Sequence, residues 1–416
     1  MAGQPRVLIV SALYAATDGP TTAAAVRARG FARGLQAAGH QVTVVCARTP
    51  GAARRDVDGI DIIPARWLDA EAHARRIGVD LRQLETPREP GGTPRTSRMR
   101  EIAARLTVPD RYVTWVPAAV AATRRAARGC DVLISTGPVS AHLVARAVRA
   151  GRPWIADFND IWALDPGREN GALHDAVDVM LEDIAIRAAA HVTTTVDDYR
   201  EELSRRHGKP VTTLRSGFNP DDFHPRTQTN RDGRVELLFA GTLYPDQDVS
   251  GLLSTLAEGQ RGGWLAPDRL TVRFVGRLTD RAAIEAARRG VAEFVRTSDP
   301  IPRGDLIDRM MSANALLLPV HEHFQTALPM RLIEYIGAGR PILVLGNEPG
   351  LERQLVVQLV NSHRLGRVVS DPRELQTLLR ALVEDRNPLP DPDPAERARF
   401  TWNETMQSLV SLVASL

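Results

Sequence analysis

The sequence predicts an α/β protein built from two doubly wound domains. Its 416 residues exceed what one ordinary core holds. Its opening alternates strand, helix, strand, and its second half repeats the alternation with strands that end in glycine or a loop.

Arg6 to Val10 is an apolar run suited to a strand buried on both faces. Thr22 to Ala38 carries Val26, Gly30, Phe31 and Leu35 on one face and stops at Gly39, which predicts a helix. Val42 to Val45 supplies the next strand, and a strand–helix–strand unit implies a parallel pair. From about Ala65 to Arg105 the chain turns polar and arginine-rich, with a loop around Glu89-Pro90-Gly91-Gly92-Thr93-Pro94. A solvated excursion is the simplest reading; a mobile acceptor loop and a membrane-surface patch are the functional alternatives. Asp131 to Ile134 and Pro153 to Ala156 resume the strands, a helix follows from about Ala172 to Ala189, and Val192 to Thr195 is a further strand.

The hinge is expected near Lys209 to Gly217. Beyond it Val235 to Ala240 leads into Gly241, Leu270 to Val275 into Gly276, and Ala315 to Leu318 into a loop and helix. Pro388-Leu389-Pro390-Asp391-Pro392-Asp393-Pro394 is a stiff linker, and Phe400 to Leu416 a last helix. The expected parts are residues 1–208, 209–395, and a C-terminal segment 396–416 that packs back on the first domain.

Composition narrows the function. Hydrophobic content of 43% and charged content of 25% are those of a globular enzyme, and no apolar run reaches the ~20 residues that span a bilayer. The start carries one arginine in its first ten residues and goes straight into a strand, so no signal peptide is expected and a cytoplasmic setting is. Cys46 and Cys130 adjoin apolar runs and are taken as core thiols rather than a disulfide or metal set. A net charge of +3 without aromatic–basic interleaving gives no case for nucleic acid. Lys209 is the only lysine, so any lysine Schiff base would have to use it, and elsewhere arginine must serve as the cation.

The most informative stretch is Leu328-Pro329-Met330-Arg331-Leu332-Ile333-Glu334-Tyr335, closed by Gly339-Arg340-Pro341. Pro329 suits the first helical position, and Gly339 with Pro341 ends the helix. It follows a strand's carboxyl end, where open α/β sheets bind ligands, and a helix start favours phosphate. Arg331 and Glu334 share a face, so the cation can meet a diphosphate while the carboxylate accepts ribose hydroxyls. A surface Arg/Glu pair on an amphipathic helix is the alternative from spacing alone. Asp56-Val57-Asp58 before Gly59 is read as a hairpin turn rather than a metal-binding acid pair. Gly19-Pro20-Thr21-Thr22 lacks a Gly-x-Gly-x-x-Gly pattern, which weakens a dinucleotide oxidoreductase reading.

Several blocks in this order resemble the retaining GT-B glycosyltransferases of family 4. Ser135-Thr136-Gly137-Pro138-Val139-Ser140-Ala141-His142-Leu143 and Asp157-Phe158-Asn159-Asp160-Ile161-Trp162 resemble two motifs of a bacterial subgroup, the second its Asp-Phe-Arg-Asp-Pro-Trp. Ser216-Gly217-Phe218-Asn219-Pro220-Asp221-Asp222-Phe223 resembles the crossover segment, and Ala240-Gly241-Thr242-Leu243-Tyr244-Pro245 and the Pro329 helix complete the set. The resemblance covers nearly the whole chain. It implies two Rossmann-like domains facing an interdomain cleft, a nucleotide diphosphosugar held mainly by the second, an acceptor held mainly by the first, and no cofactor or metal.

On the donor side the resemblance points to Gly241, Thr242, Gln247, Arg277, Thr326, Ala327, Leu328, Met330, Arg331 and Glu334. Thr242 and Gln247 stand where many members have an arginine and a lysine, which throws phosphate charge onto Arg331 and the helix start. Thr326 stands where a first glutamate is common, so recognition of the sugar hydroxyls is open and an unusual or deoxygenated sugar is one consequence. On the acceptor side it points to Gly19, Thr21, Arg27, Asn159 and His142; Arg27 is read as facing the cleft or lying at the surface, and His142 as packed in a helix rather than catalytic. Asn159 and Ile161 depart from the subgroup motif.

For catalysis, Arg331 is expected to neutralise the leaving phosphate, and Asp160, with Asp157 as the alternative, to orient the attacking hydroxyl. Helix capping is the competing role for both aspartates. In retaining members the departing phosphate is commonly thought to take the proton. The acceptor is expected to be a small molecule or a lipid-linked sugar, the second with peripheral membrane contact through the arginine-rich first domain. Two other readings stand: a sugar-nucleotide isomerase on this fold, and a non-catalytic nucleotide-sugar-binding partner of another transferase.

Overall fold

The apolar runs of the sequence become the inner strands of two parallel sheets. The computed structural model describes residues 4–15, 22–48, 54, 56, 58–67, 109–159, 162–163, 172–224, 234–320, 328–346 and 350–416. Nearly all of the expected insertion between Ala65 and Arg105 lies outside them. The chain divides into two compact units, one running to Arg215 and taking up the chain again from Thr405, the other running from Ser216 to Glu404.

In the first unit, strands β1 (Val7–Val10), β2 (Val42–Ala47), β3 (Asp61–Ala65), β4 (Val132–Ser135), β5 (Trp154–Phe158), β6 (His191–Thr194) and β7 (Val211–Thr213) form one sheet in the order 3-2-1-4-5-6-7, all parallel. Helices α1 (Ala23–Ala37), α2 (Val116–Ala126), α3 (Ser140–Val148), α4 (Ala172–Ala188) and α5 (Asp197–His207) join them. Strands β1, β4 and β5 are buried along their whole length, which is why they run apolar without alternation apart from the buried polar residues Ser135 and Asp157. Thr22 caps α1 by accepting the Ala25 N–H, and Gly39 supplies the left-handed turn that ends it, at φ 90°. The turn expected before Gly59 is present: Asp56 Oδ1 accepts the N–H groups of Asp58 and Ile60, and the chain folds back so that Ile62 donates to the Arg54 carbonyl. It feeds β3, a strand that sequence reading did not assign.

In the second unit, β8 (Val235–Ala240), β9 (Leu270–Val275), β10 (Val295–Ser298), β11 (Ala315–Pro319), β12 (Ile342–Leu345) and β13 (Gly366–Val369) form a sheet ordered 10-9-8-11-12-13. Its helices are α6 (Ser250–Arg261), α7 (Asp280–Arg288), α8 (Arg303–Ser312), α9 (Met330–Ala338), α10 (Leu355–Ser362), α11 (Pro372–Val383), α12 (Pro394–Ala398) and α13 (Trp402–Ala414), the last of which ends in the first unit. Successive β8 residues feed different cores: Leu237 and Phe239 pack with Leu253, Phe274 and Leu379, while Leu238 and Ala240 pack with Ile333, Ile336 and Val356. Both sheets reverse strand order once, between β1 and β4 and between β8 and β11. That is where a doubly wound sheet opens a crevice.

Burial lifts the Cys46 thiol to about 12 and the Cys130 thiol to about 11; Cys46 is a core thiol, whereas Cys130 is half-buried rather than in the core. Among the described residues no helix is long and apolar enough to cross a membrane.

Candidate functional site

At the second unit's reversal point, strands β8 and β11 pair only through Leu237 and Leu238 before splaying apart. Tyr335 from α9 fills the gap: its hydroxyl accepts the Ala240 N–H at 2.8 Å and donates to the Leu317 carbonyl at 3.1 Å. Burial pushes this phenol up to about 12, so it stays a neutral two-way linker. One turn earlier on the same helix stands Arg331. Its Nη2 donates to the Thr242 carbonyl at 2.8 Å, and its guanidinium carbon lies 4.2 Å above the Phe239 ring. Among the described residues, its Nε and Nη1 are buried without a hydrogen-bond partner. Desolvation lowers its pKa, outweighing the raising effect of Tyr335, Tyr244 and Glu334.

Two glycines make room for that guanidinium. A Cβ on Gly276 would sit 1.9 Å from the Gly241 carbonyl oxygen, and one on Gly241 would sit 2.7 Å from Arg331 Nη2. Gly241 also adopts φ 121°, which side-chain-bearing residues avoid. Gly241→Ala is therefore expected to displace the Arg331 guanidinium from the Thr242 carbonyl, which a crystal structure of the variant would show; an unmoved guanidinium would detach Gly241 from the site.

Helix α9 starts one residue later than expected. Pro329 is its N-cap, with extended ψ 134°, and Met330 is the first helical residue. Gly339 ends it in the left-handed conformation as expected, and Arg397 donates to the Ile336 and Gly337 carbonyls there. Leu328 and Met330 are half-buried against the core, so their side chains pack rather than face a ligand. Glu334 is ion-paired through Oε1 to Nη1 of Arg303, the first residue of α8. Thr326 and Ala327 lie outside the described residues.

Gln247 occupies a different place from the one its motif position suggested. It is 3% exposed, its Nε2 donates to the Pro319 carbonyl and its Oε1 accepts the Tyr244 N–H, so both ends of the amide are spent tying the loop after β8 to the end of β11. A donor-binding role is corrected to a loop-bracing one. Thr242 contributes its carbonyl to Arg331, and Arg277 is exposed.

In the first unit the aspartate expected as the alternative catalyst is locked away. Asp157, at 0% exposure, takes a two-pronged salt bridge from Arg27 at 2.7 and 2.8 Å and hydroxyl bonds from Thr136 and Thr193 at 2.5 and 2.8 Å. Burial acts to raise its pKa, but the Arg27 charge and the donated bonds hold it below the usual carboxylate range. Arg27 is at neither a surface nor an open face: it is 1% exposed and also binds the Leu214 carbonyl. These two residues are corrected from substrate contacts to a strut joining α1, β5 and the chain after β7. His142 is likewise buried, stacked 4.4 Å from Phe158 and bonded through Nδ1 to Ser135. Desolvation lowers its pKa to about 4, so it is neutral at pH 7 and packed, as expected of it.

Asp160, Gly19 and Thr21 lie outside the described residues. The flanks of Asp160 are pinned, however: the Asn159 carbonyl accepts from Thr195 Oγ1, Trp162 Nε1 donates to Asp178, and the Ala163 N–H donates to Glu182. Glu182 is fully buried and bridged to Arg206 at 2.9 Å. Among the described residues no group of three histidine, cysteine or acidic side chains is placed to hold a metal ion.

Residues 22–215, the segment that carries Arg27 and Asp157, match the model of the glycosyl transferase 4-like domain. A curated relative, D-inositol 3-phosphate glycosyltransferase of Thermobispora bispora, is 26% identical over 55% of this chain and 56% of its own length, so the chain spans little more than half of the relative it matches. Among solved structures the chain is similar to sucrose-phosphate synthase from Thermosynechococcus elongatus, with a TM-score of 0.65 and 14% identity over 99% of this chain and 98% of the other. It is also similar to α,α-trehalose 6-phosphate synthase from Burkholderia multivorans, with a TM-score of 0.60 and 12% identity over 99% of each chain. The two units thus have the two-domain α/β architecture of the GT-B fold.

Sequence reading missed three contributors to the site. Tyr335 lay inside the motif without a role, Phe239 looked like plain strand core, and Arg303 gave no signal, because its partner Glu334 is 31 residues away. Only the sheet topology brings them together.

Proposed function

We propose that this chain is a glycosyltransferase that moves a sugar from a nucleotide diphosphosugar to an acceptor hydroxyl, with retention and without a metal. The observation that carries the reading is the buried Arg331 guanidinium, with two nitrogens that have no partner among the described residues, at the reversal point of a doubly wound sheet. A buried, unpaired cation is costly to keep, and a phosphate oxyanion at the start of α9 would satisfy both nitrogens and meet the positive end of the helix.

Departure of the diphosphate builds negative charge where Arg331 waits, so its interaction strengthens as the glycosidic bond breaks. Glu334 accepts ribose hydroxyls and fixes the nucleotide. Asp160 orients the acceptor hydroxyl, with Asn159 and Trp162 on either side of it anchored, and the leaving phosphate takes that hydroxyl's proton. The acceptor is a small molecule or a lipid-linked sugar, reached from the cytoplasmic side.

Incubation with a panel of nucleotide diphosphosugars separates this reading from its rivals. Transfer gives nucleoside diphosphate release that rises with added acceptor, and the product keeps the anomeric configuration of the donor. Release of an altered sugar nucleotide without acceptor would instead indicate an isomerase, and binding without either would indicate a non-catalytic partner.

A further inference from the structure

We propose that Arg303 is a positioning residue for nucleotide recognition: it holds Glu334 so that one carboxylate oxygen stays free for the ribose hydroxyls. The inference rests on the donor-site reading of Glu334 given above and adds to it a residue that no motif marks. Arg303 opens α8 and reaches two acids at once, Glu334 Oε1 through Nη1 and Asp222 Oδ2 through Nη2 at 3.3 Å. All three side chains are largely buried, at 16%, 22% and 32% exposure. The two acids raise the Arg303 pKa against the opposing effect of burial. Among the described residues the other oxygen of Glu334 has no protein partner.

The far end of the bridge is rigid. Asp222 closes the short turn Pro220–Asp222, where Asn219 Nδ2 donates to Asp222 Oδ1 at 2.9 Å. Phe218 and Phe223, edge to face with centroids 5.5 Å apart, press against Gly337 of α9 so closely that a Cβ there would lie 2.6 Å from the Phe223 ring. Arg303 is thus a strut between a packed turn and the carboxylate. A two-pronged guanidinium fixes direction as well as charge, which an ammonium does not. With Oε1 engaged, Glu334 can turn only Oε2 to a ligand, and a single aimed acceptor discriminates a hydroxyl from a hydrogen better than a rotating carboxylate.

The test compares UDP, GDP and ADP with their 2′-deoxy forms by titration calorimetry on the full chain, using the ratio of affinities, which is insensitive to the fraction of protein folded. The unmodified protein is expected to favour the ribose form about tenfold. Glu334→Ala removes the preference, and Arg303→Gln and Arg303→Lys each reduce it to about threefold or less, with Asp222→Asn lowering it in the same direction. If Glu334→Ala removes the preference but both Arg303 variants keep it, the positioning role is overturned while the donor-site reading stands. If Glu334→Ala keeps the preference, or the unmodified protein shows none, the assignment of Glu334 to ribose fails and the Arg303 role falls with it.

Discussion

Replacing Arg27 with methionine is expected to cost roughly 3–5 kcal/mol of folding stability at pH 7, because it strands the Asp157 carboxylate in a fully buried site. Adding Asp157→Asn should recover a good part of that loss, since an amide still accepts from Thr136 and Thr193 without a charge. The pH dependence separates this from a simple packing defect. In the unmodified protein Asp157 has a folded pKa below its unfolded value of about 3.9, so its contribution is complete above that value and is lost as the pH falls through the folded pKa. Without Arg27, burial dominates and the folded pKa rises above the unfolded one. The variant's deficit should then be smallest near pH 4 and grow as the pH rises. Urea unfolding across pH 4 to 8 measures it. A loss below about 1 kcal/mol, or a deficit flat with pH, would show that the pair is not the strut described.

The same pair shows where a sequence stops being legible. Arg27 was open to a cleft-facing or a surface reading because spacing reports which face of α1 it shares, and not that a carboxylate 130 residues away waits in β5. Local patterns carried much further for the strands: β8 and β9 have the predicted bounds, since each is a mostly apolar run, interrupted by Glu236 in one and by Thr271 and Arg273 in the other, and closed by a glycine that the backbone needs. The strands left unassigned are β3, β7, β10, β12 and β13; the outer strands β3, β10 and β13 include Asp61, Arg296 and Arg367, polar residues that blur the apolar signal, while β7 and β12 span only three and four residues. In the candidate site, Arg331 and Glu334 were legible because cap, stop and spacing lie within a dozen residues. The spent amide of Gln247 was not, because its acceptor, the Pro319 carbonyl, arrives from 72 residues further along the chain.

Arg331→Leu is expected to make the protein more stable and nearly inactive. Two of the arginine's nitrogens are buried without partners among the described residues, so the folded protein without ligand bears a desolvation cost that leucine would remove. Leucine also keeps the apolar packing against Phe239. The unliganded variant should therefore match or exceed the parent by about 1–2 kcal/mol in thermal or urea unfolding, the trade of stability for function that binding sites show. Turnover should fall about 10²- to 10³-fold, more than ~2 kcal/mol, because leucine cannot supply the cation whose attraction strengthens as charge develops on the leaving diphosphate. Nucleoside diphosphate should raise the melting temperature of the parent and leave the variant almost unmoved, by linkage between binding and folding. Arg331→Lys should lie between them, since an ammonium can supply the charge but cannot reach the Thr242 carbonyl and two phosphate oxygens together. A variant that is destabilised by more than about 1 kcal/mol yet turns over within about threefold of the parent would identify Arg331 as a structural cation. It would remove the central support for the transferase reading.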